Sequence, residues 1–424
     1  RGLGRGWRGA ATAATEAPVE EAPCGIVEST DAAVEPCAMA PPFNTVLAAN
    51  RAEIAVRIMR AAAELNMRTV AVYGYEDRNS AHRWGADQSF LLPAASTPVG
   101  AYLDPQAIID IAVANGVDAI HPGYGFLSES AELARKCEQN GITFVGPTVE
   151  NLEAFADKTK ARAMAIASGV PVVPGTDDAV TTPEEAEAFV EEFGLPVIIK
   201  ASMGGGGKGM RVVRTLEDVA PAFASASSEA KAAFGDGSCF LERYVDRPQH
   251  IEVQIVGDGK GNVVHLYERD CSVQRRHQKV VEIAPAWNLD PDLRAALHAD
   301  AVKLTADAKY KNAGTVEFLV DEAANGGKGA HYFIEVNPRI QVEHTVTEEV
   351  TSVDLVQTQM LVAGGASLDS LGLAPQEKVR ARGVAIQCRV TTEDPERDFA
   401  PDAGTLSVFR NALGAGVRVD GTGY

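Results

Sequence analysis

Cysteine is scarce in this sequence, and its spacing is irregular. The 424 residues include six cysteines, none of them in a C-x-x-C pair, and no secretory signal is visible. Disulfide frameworks belong to secreted chains, and cysteine-based zinc sites need closely spaced pairs. The cysteines are therefore predicted to be reduced thiols that bind no metal.

Long apolar runs and an excess of positive charge are also missing. No stretch approaches the roughly 20 apolar residues that a transmembrane helix needs, which argues against a membrane protein. Lysine and arginine total 39 against 58 aspartate and glutamate, a formal net charge of −19 at pH 7. Nucleic acids are bound through cations that neutralise phosphates, so no nucleic-acid partner is expected.

The first 42 residues differ in composition from the rest. Residues 1–15 carry Arg1, Arg5 and Arg8 but no acid, and the first residue is not methionine. This composition is typical of an organelle transit peptide, and we expect a remnant of one, directed to the mitochondrial matrix or another organelle. Residues 16–42 are rich in alanine, proline and glutamate, which predicts disorder. The alternative is a plain flexible tail on a cytoplasmic protein.

Residues 43–157 alternate between strand-like and helix-like segments. A short apolar run at 46–49 predicts a strand, and the apolar residues after it recur at helical spacing, at Ile54, Ile58, Ala62 and Leu65. Further strands are predicted at 68–73, 117–120 and 142–145. Strands that alternate with helices are typical of a parallel sheet, so this part is predicted to be an α/β domain.

The most informative segment is 333–344, where an apolar alternation ends in charged and amide side chains. In a strand, Glu335 and Asn337 point to one face, and Ile334 and Val336 to the other. The segment 314–320 has the same strand character, and 321–330 is long enough to return the chain antiparallel. Glu317 and Glu335 are then predicted to face each other across a hairpin.

Two opposed carboxylates repel each other unless a cation lies between them. Oxygen donors with no cysteine or histidine nearby favour Mg²⁺ or Mn²⁺, often completed by substrate phosphates. The alternative is an ordinary solvated hairpin edge.

A glycine loop at 204–209 separates a strand-like run at 196–200 from another at 210–214. Consecutive glycines let backbone N–H groups approach an anion closely. A dinucleotide fingerprint would open a helix, and a P-loop would need lysine where Met210 stands, so both are disfavoured. A hairpin lid over a nucleotide fits better, with Lys200 as the cation that reaches the phosphates. The alternative is a mobile surface turn.

The segment 267–279 is dense in cations and amides within an acidic chain. Charge runs are usually solvated loops. Because the surroundings are acidic, however, this local basic concentration also predicts a place where anionic ligands are held.

Several motifs in order, taken together, resemble the ATP-grasp biotin carboxylases. The resemblance covers about 43–424, and its marks are 49–55, 121–129, the glycine loop, 268–279 and 335–344. Ala52 replaces the glycine usual in the family, which concerns local backbone geometry and no catalytic group. The resemblance implies an α/β (α+β overall) chain with a disordered tail at 1–42 and three domains: a pre-ATP-grasp parallel-sheet domain (43–157), an ATP-grasp domain (158–365) and a truncated C-terminal biotin carboxylase domain (378–424).

The resemblance also implies roles for single positions. Those matching residues that hold the phosphates of ATP are Lys158, Lys200, Gly206, Gly207 and His277. Those matching the adenine hinge are Glu242, Arg243, Tyr244 and Val245. The positions toward the ribose are His250 and Gln274. The positions matching metal ligands are Glu317, Glu335 and Asn337. Those matching the bicarbonate pocket are Lys279, Arg339, Gln341 and the Val342 backbone. Glu343 matches the base, and Arg389 matches the cation that faces the biotin ureido oxygen.

The implied reaction carboxylates biotin with bicarbonate and ATP, assisted by Mg²⁺ or Mn²⁺. The sequence at 387–395 more closely resembles the pyruvate carboxylases than the acyl-CoA carboxylases. No Met-Lys-Met biotin-attachment motif occurs, so biotin is expected on a carrier segment outside this chain, together with a carboxyltransferase domain, in a homo-oligomer. Two alternatives stay open: the biotin carboxylase of an acetyl-CoA or propionyl-CoA type enzyme, and a non-catalytic ATP-binding fragment.

Overall fold

The computed structural model describes residues 41–176, 178–201, 210–234, 237–276, 278–402 and 404–421. The predicted targeting segment, the glycine loop with Gly206 and Gly207, and His277 lie outside these residues. Among the described residues, no helix combines the length and the apolar character needed to cross a bilayer.

The first part of the chain forms a five-stranded sheet in which all neighbouring strands run parallel, in the order β3-β2-β1-β4-β5. Its strands are β1 Thr45–Ala48, β2 Arg68–Tyr73, β3 Gln88–Leu91, β4 Ala119–His121 and β5 Thr143–Phe144. The helices between and after them are α1 Ala52–Glu64, α2 Ala81–Trp84, α3 Pro105–Ala114, α4 Ala131–Gln139 and α5 Val149–Ala156. The predicted parallel α/β sheet is confirmed, and Ile54, Ile58 and Ala62 all lie on the buried face of α1.

A small antiparallel sheet follows, in the order β7-β6-β8. Its elements, with the helices around it, are α6 Lys158–Ala167, α7 Pro183–Phe193, β6 Val197–Ala201, β7 Arg211–Val213, α8 Val219–Phe234 and β8 Cys239–Arg243. Residues of α7 and α8, including Phe189 and Phe223, form one apolar cluster with this sheet. A strand, and not a helix, follows the glycine loop, as the exclusion of a dinucleotide fingerprint requires.

The largest sheet has six antiparallel strands in the order β13-β12-β9-β10-β11-β14. Its strands are β9 Gln249–Asp258, β10 Val263–Arg275, β11 Gln278–Ala284, β12 Lys311–Asp321, β13 Ala330–Asn337 and β14 Ala385–Cys388. The accompanying helices are α9 Pro291–Asp307, α10 Ala324–Gly327, α11 His344–Thr351 and α12 Leu355–Ala363.

The six-stranded sheet has an apolar face and a polar face because successive side chains of strands such as β9 point to opposite sides. On β9, Ile251, Val253 and Ile255 are fully buried in a cluster that includes Leu297 and Leu304 of α9. Burying an aliphatic side chain of this size stabilises the fold by about 1.5–3 kcal/mol. The intervening residues of β9 are polar and point to the other face, which carries the site described below.

The C-terminal residues add little to the core. The strand β14 extends the six-stranded sheet beside β11, and β15 Glu393–Asp394 pairs only with β16 Ala400–Pro401. Large apolar side chains are exposed along this segment, among them Val390 at 95% and Leu413 at 89%. The domain boundaries 43–157, 158–365 and 378–424 stay predictions.

Candidate active site

Glu317 and Glu335 lie directly opposite each other on β12 and β13, as predicted from the alternation of side chains along the two strands. The pairing then shifts by one residue, because Phe318 pairs with Phe333 and leaves Ile334 as a bulge. Bulges re-aim the side chains beside them. The two carboxylates and Asn337, whose strand partner is Thr315, thus lie at the end of one hairpin.

The Glu317 carboxylate is 4% exposed and accepts hydrogen bonds from several predicted site residues. Its Oε2 lies 2.7 Å from His250 Nε2, and its Oε1 accepts from Lys279, Asn337 and Gln341 at 2.8, 2.8 and 2.9 Å. Burial opposes its charge, yet the His250 and Lys279 contacts hold its pKa well below the usual range. Glu317 is therefore an anion surrounded by donors.

Lys279 Nζ is shared by three buried carboxylates. It donates to Glu317 and Glu343 at 2.8 and 2.9 Å, and it also pairs with Glu252. Burial alone would favour the neutral amine, but the three carboxylates together raise the pKa of Lys279. The site thus holds a permanent cation among acids that would otherwise repel one another.

Glu343 has cations on both of its oxygens. Oε1 accepts from Lys279, and Oε2 accepts from Arg389 NH2 at 2.9 Å. The residue is 2% exposed and immediately precedes α11, whose amide groups its side chain does not cap. The carboxylate is therefore directed into the site, between the two cations.

Arg389 and Arg339 are each held by an acidic residue outside the predicted set. Arg389 Nε donates to the fully buried Glu282 at 2.7 Å, and this contact brings β14 to the site. Arg339 donates to Glu129 at 2.6 Å and to Asn337 Oδ1 at 2.9 Å. Val342 is half-buried in the turn between Arg339 and α11. Both guanidinium groups are thus oriented before any ligand arrives.

The predicted metal donors fit a hard cation by their chemistry. Glu317, Glu335 and Asn337 offer oxygen donors, and lysines now neutralise both acids, since Lys158 lies 3.2 Å from Glu335. His250, Glu252 and Glu317 also converge closely enough for a metal. The oxygens of Glu252, however, face Arg269 and Lys279, so this second group lacks a free carboxylate.

The predicted nucleotide-binding residues lie mainly on the small sheet and in the segment that follows β8. Lys200 pairs with Glu242 across the β6–β8 ladder, and Arg243 lies 3.6 Å from Asp321 at the end of β12. Tyr244 N donates to Pro196 O at 2.8 Å, and Val245 is buried. Gln274, whose strand partner is Lys279, donates to the Cys271 carbonyl at 3.0 Å.

Direct contacts join eight of the twenty predicted positions into one cluster: Lys279, Arg339, Gln341, Glu343, Arg389, His250, Glu317 and Asn337. Glu335 faces this cluster and holds Lys158. The hinge residues and Lys200 form a separate group. Gly206, Gly207 and His277 lie outside the described residues, so their predicted roles stay predictions.

Sequence reasoning missed Glu252, Arg269 and Glu282, which are all fully buried at the site. A signal existed for Glu252, because His250, Glu252 and Gln254 alternate with apolar residues along β9. Three polar residues on one face of an otherwise apolar strand predict a polar site there. Glu282 gave no such signal, since its partner Arg389 is distant in sequence.

Two family models match the chain. Residues 42–152 match the biotin carboxylase N-terminal domain, and residues 157–371 match the ATP-binding domain of the carbamoyl-phosphate synthase L chain.

Similar proteins agree with these matches. Pyruvate carboxylase of Schizosaccharomyces pombe is 59% identical over 381 residues, covering 89% of this chain and 32% of that protein. The mitochondrial pyruvate carboxylase of Homo sapiens is 56% identical over 379 residues, covering 89% of this chain and 32% of that protein. The chain thus spans about a third of the length of the curated relatives it matches.

A solved structure resembles the whole fold described above. It is the dimeric biotin carboxylase domain of Hydrogenobacter thermophilus 2-oxoglutarate carboxylase, in complex with MgADP, ADP and bicarbonate. The TM-score is 0.81 at 44% identity, and the match covers 90% of this chain and 82% of that chain. With the two family models and the curated relatives, this similarity shows that the chain belongs to the biotin carboxylase family.

Proposed function

We propose that this chain catalyses the ATP-dependent carboxylation of biotin by bicarbonate. The observation that carries the proposal is the buried Glu343 carboxylate, held between Lys279 and Arg389 and two residues from Gln341. A base flanked by two cations is suited to deprotonating an anion, because the cations offset the repulsion between base and substrate.

In the first step, Lys279, Arg339, Gln341 and the Val342 backbone hold bicarbonate, and Glu343 removes its proton. The bicarbonate oxygen attacks the γ-phosphorus of ATP, the bond to the bridging oxygen breaks, and carboxyphosphate and ADP form. Lys158 and Lys200 stabilise the charge that develops on the phosphates. In the next step carboxyphosphate releases CO₂ and phosphate, and this phosphate takes the proton from biotin N1.

Arg389 completes the second step. Its guanidinium stabilises the negative ureido oxygen that forms when biotin N1 loses its proton, and the biotin then captures CO₂. Its position supports this role, because β14 places Arg389 beside the base and Glu282 fixes its orientation.

Glu317, Glu335 and Asn337 would hold Mg²⁺ or Mn²⁺. Such an ion supplies charge neutralisation for the phosphoryl group under attack. Lys158 and Lys279, which now contact Glu335 and Glu317, would then be available to anionic substrates.

The test is to replace Glu343 by glutamine in the intact protein. We expect ATP binding to persist and bicarbonate-dependent ATP cleavage to fall by about a hundredfold or more, as loss of a general base typically costs about 10²–10⁴. The matched control is Glu349→Gln, since Glu349 lies on the same helix α11 with a half-exposed side chain that contacts Arg418, which is not a member of the cluster. Unchanged cleavage in Glu343→Gln would reject the proposal.

For the whole protein we propose carboxylation of pyruvate to oxaloacetate, supported by the curated relatives at 55–59% identity. The intact protein should form oxaloacetate from pyruvate, ATP and bicarbonate. Carboxylation of acetyl-CoA or propionyl-CoA instead would support the acyl-CoA alternative. Absence of ATP cleavage, with and without free biotin, would support a non-catalytic ATP-binding fragment.

We further propose a biotinylated carrier domain and a carboxyltransferase domain as partners, in a homo-oligomer. The dimeric Hydrogenobacter thermophilus domain supports association. The mouse and human relatives are named mitochondrial, which supports a location in the mitochondrial matrix. A fluorescent fusion of the intact protein that stays in the cytosol would reject that location.

A further inference from the structure

Arg269 is the largest fully buried side chain among the described residues, and all its donors are used. Nε donates to Glu252 Oε1 at 2.5 Å. NH1 donates to Gln254 Oε1 and Thr347 Oγ1 at 2.8 and 2.9 Å, and NH2 to Thr315 Oγ1 and Gln341 Oε1 at 3.2 and 2.9 Å. Arginine has five N–H donors, so the guanidinium is saturated by protein acceptors. It cannot contact a substrate in this arrangement.

The acceptors come from separate elements. Glu252 and Gln254 lie on β9, Thr315 lies on β12, Thr347 lies on α11, and Gln341 lies in the turn before that helix. The guanidinium therefore fastens the turn that carries Gln341 and Glu343 to the polar face of the sheet. A planar group with fixed donors specifies both distance and direction, which a flexible lysine does not.

The first consequence concerns the Gln341 carboxamide. A guanidinium has no acceptor, so only the carboxamide oxygen of Gln341 can face it. The amide nitrogen is then turned toward Glu317, to which it donates at 2.9 Å. Arg269 thus decides which end of Gln341 faces the bicarbonate pocket, which needs a donor.

The second consequence concerns Glu252 and Lys279. Burial disfavours charge on Glu252, but Arg269 and Lys279 keep its pKa low. If Arg269 were absent, Glu252 would rely on Lys279 alone, because a buried carboxylate without a partner is strongly unfavourable. Lys279 would then be drawn toward Glu252 and away from Glu343. Arg269 therefore keeps Lys279 available to the base.

We propose that Arg269 is a positioning residue for the bicarbonate pocket, acting through Gln341 and Lys279 without contacting substrate. The proposal rests on the function proposed above. It predicts a defect specific to bicarbonate, because the adenine hinge and Lys200 lie outside this sheet. His250 and Gln274, predicted toward the ribose, lie on the same sheet but are not among the acceptors of Arg269.

The test is steady-state kinetics of Arg269→Lys in the intact protein, with bicarbonate and ATP varied separately. We expect the KM for bicarbonate to rise about tenfold or more, since small misplacements of positioning groups cost up to about 10²-fold. The KM for ATP should stay within about twofold. A purely structural role would lower kcat through a smaller active fraction and leave both KM values unchanged, and that result would overturn the proposal.

A second variant tests the proposal in case Arg269→Lys does not fold. Arg269→Met combined with Glu252→Gln removes both buried charges and leaves no unpaired carboxylate. In this variant Glu252 no longer draws Lys279 away, but Gln341 Oε1 still loses its guanidinium donor. We therefore expect the KM for bicarbonate to rise through Gln341 alone, and a wild-type value would overturn the proposal even if Arg269→Lys were unfolded.

The matched control is Arg57→Lys. Arg57 is also buried, at 5% exposure, and donates to Glu348 and Asp354 at 3.0 and 2.7 Å, but it does not contact the cluster. The Arg57→Lys substitution should lower the melting temperature without changing the KM for bicarbonate.

Two outcomes distinguish the positioning role from the proposed function. A wild-type protein without bicarbonate-dependent ATP cleavage would reject the proposed function itself. An active wild type together with an Arg269→Lys variant whose KM for bicarbonate is unchanged would reject only the positioning role.

Discussion

At the scale of single residues, the site depends on charges that compensate one another in a buried place. Glu252, Glu282, Glu317 and Glu343 are at most 4% exposed, and each contacts a lysine or an arginine. Removing one partner of a buried ion pair is costly because the other charge stays behind. Substitutions here should therefore be made in compensating pairs whenever stability is to be separated from activity.

Ala52 adopts a backbone conformation that ordinarily favours glycine. Its φ is +61°, at the first residue of α1, where the family usually has glycine. The left-handed region costs an L-residue about 1–2 kcal/mol, so Ala52→Gly is expected to raise the free energy of unfolding by about 1 kcal/mol.

The exposed Ala63 in the same helix supplies the control for this prediction. Ala63→Gly should lower the free energy of unfolding by about 1 kcal/mol, since glycine is a poor helix former. Urea unfolding of both variants measures the effects. Destabilisation by Ala52→Gly would contradict the expectation.

His121 links stability to pH. The ring is fully buried, its Nδ1 accepts from Gly123 N at 3.0 Å, and its Nε2 lies 3.2 Å from Gln359 Oε1. Complete burial lowers the pKa of His121 to about 3. Below about pH 6.5 the histidine is protonated in the unfolded chain but stays neutral in the folded chain. The contribution of His121 to the free energy of unfolding at neutral pH is therefore lost as pH falls toward 3.

Between pH 7 and pH 5 this linkage amounts to about 2 kcal/mol. The free energy of unfolding of the wild type should therefore fall by about that much more than the free energy of a His121→Asn variant, which lacks the titrating ring. Urea titrations at the two pH values measure the difference. Parallel losses in the two proteins would contradict it.

At the scale of elements, β12 passes close to the Tyr310 side chain at a position that only glycine can occupy, Gly314. A Cβ on Gly314 would overlap the ring and hydroxyl of Tyr310, which is fully buried and donates to the Ala313 carbonyl at 3.2 Å. Gly314→Ala is expected to destabilise the protein by about 1–3 kcal/mol through overpacking.

The same substitution tests how strand position affects the site. Glu317 lies three residues further along β12, so bicarbonate-dependent ATP cleavage should fall together with the melting temperature. Gly404→Ala is the control, because a Cβ there meets nothing within 4 Å. Thermal melts that agree for the two variants would contradict the expectation.

Strand periodicity predicted the elements well wherever one face is buried. The strand β2 was expected at 68–73 and occupies those residues, and the facing of Glu317 and Glu335 followed from the pleat. The bulge at Ile334 could not be predicted, because it depends on how β12 and β13 pair. The ion pairs Arg389–Glu282 and Arg339–Glu129 could not be predicted for a related reason. Their partners lie more than a hundred residues apart, so no periodic pattern in the sequence indicates them.

At the scale of the whole molecule, the family motifs predicted the architecture, but the attachment of the C-terminal residues came only from the structure. The strand β14 joins the large sheet, whereas apolar side chains beyond it, such as Leu406, Val408 and Leu413, are exposed. Contiguous exposed apolar side chains favour association.

Net charge should control that association. The chain carries −19 at pH 7 and has an isoelectric point near 4.9. Repulsion between molecules fades as the net charge approaches zero, so light scattering of the isolated chain should rise as pH falls from 7.5 toward 5. A mass that stays constant over this range would contradict the prediction.

The two cations that contact Glu343 have a consequence for ATP hydrolysis in the absence of the other substrates. With Lys279 on one oxygen and Arg389 on the other, the carboxylate has no oxygen free of a cation to accept a proton from a stray water molecule. If bicarbonate engages Lys279 and biotin engages Arg389, as proposed above, each substrate would remove one cation from Glu343, and the carboxylate would be released only when they bind. Slow background hydrolysis of ATP, stimulated jointly by bicarbonate and biotin, is the kinetic signature that this arrangement implies.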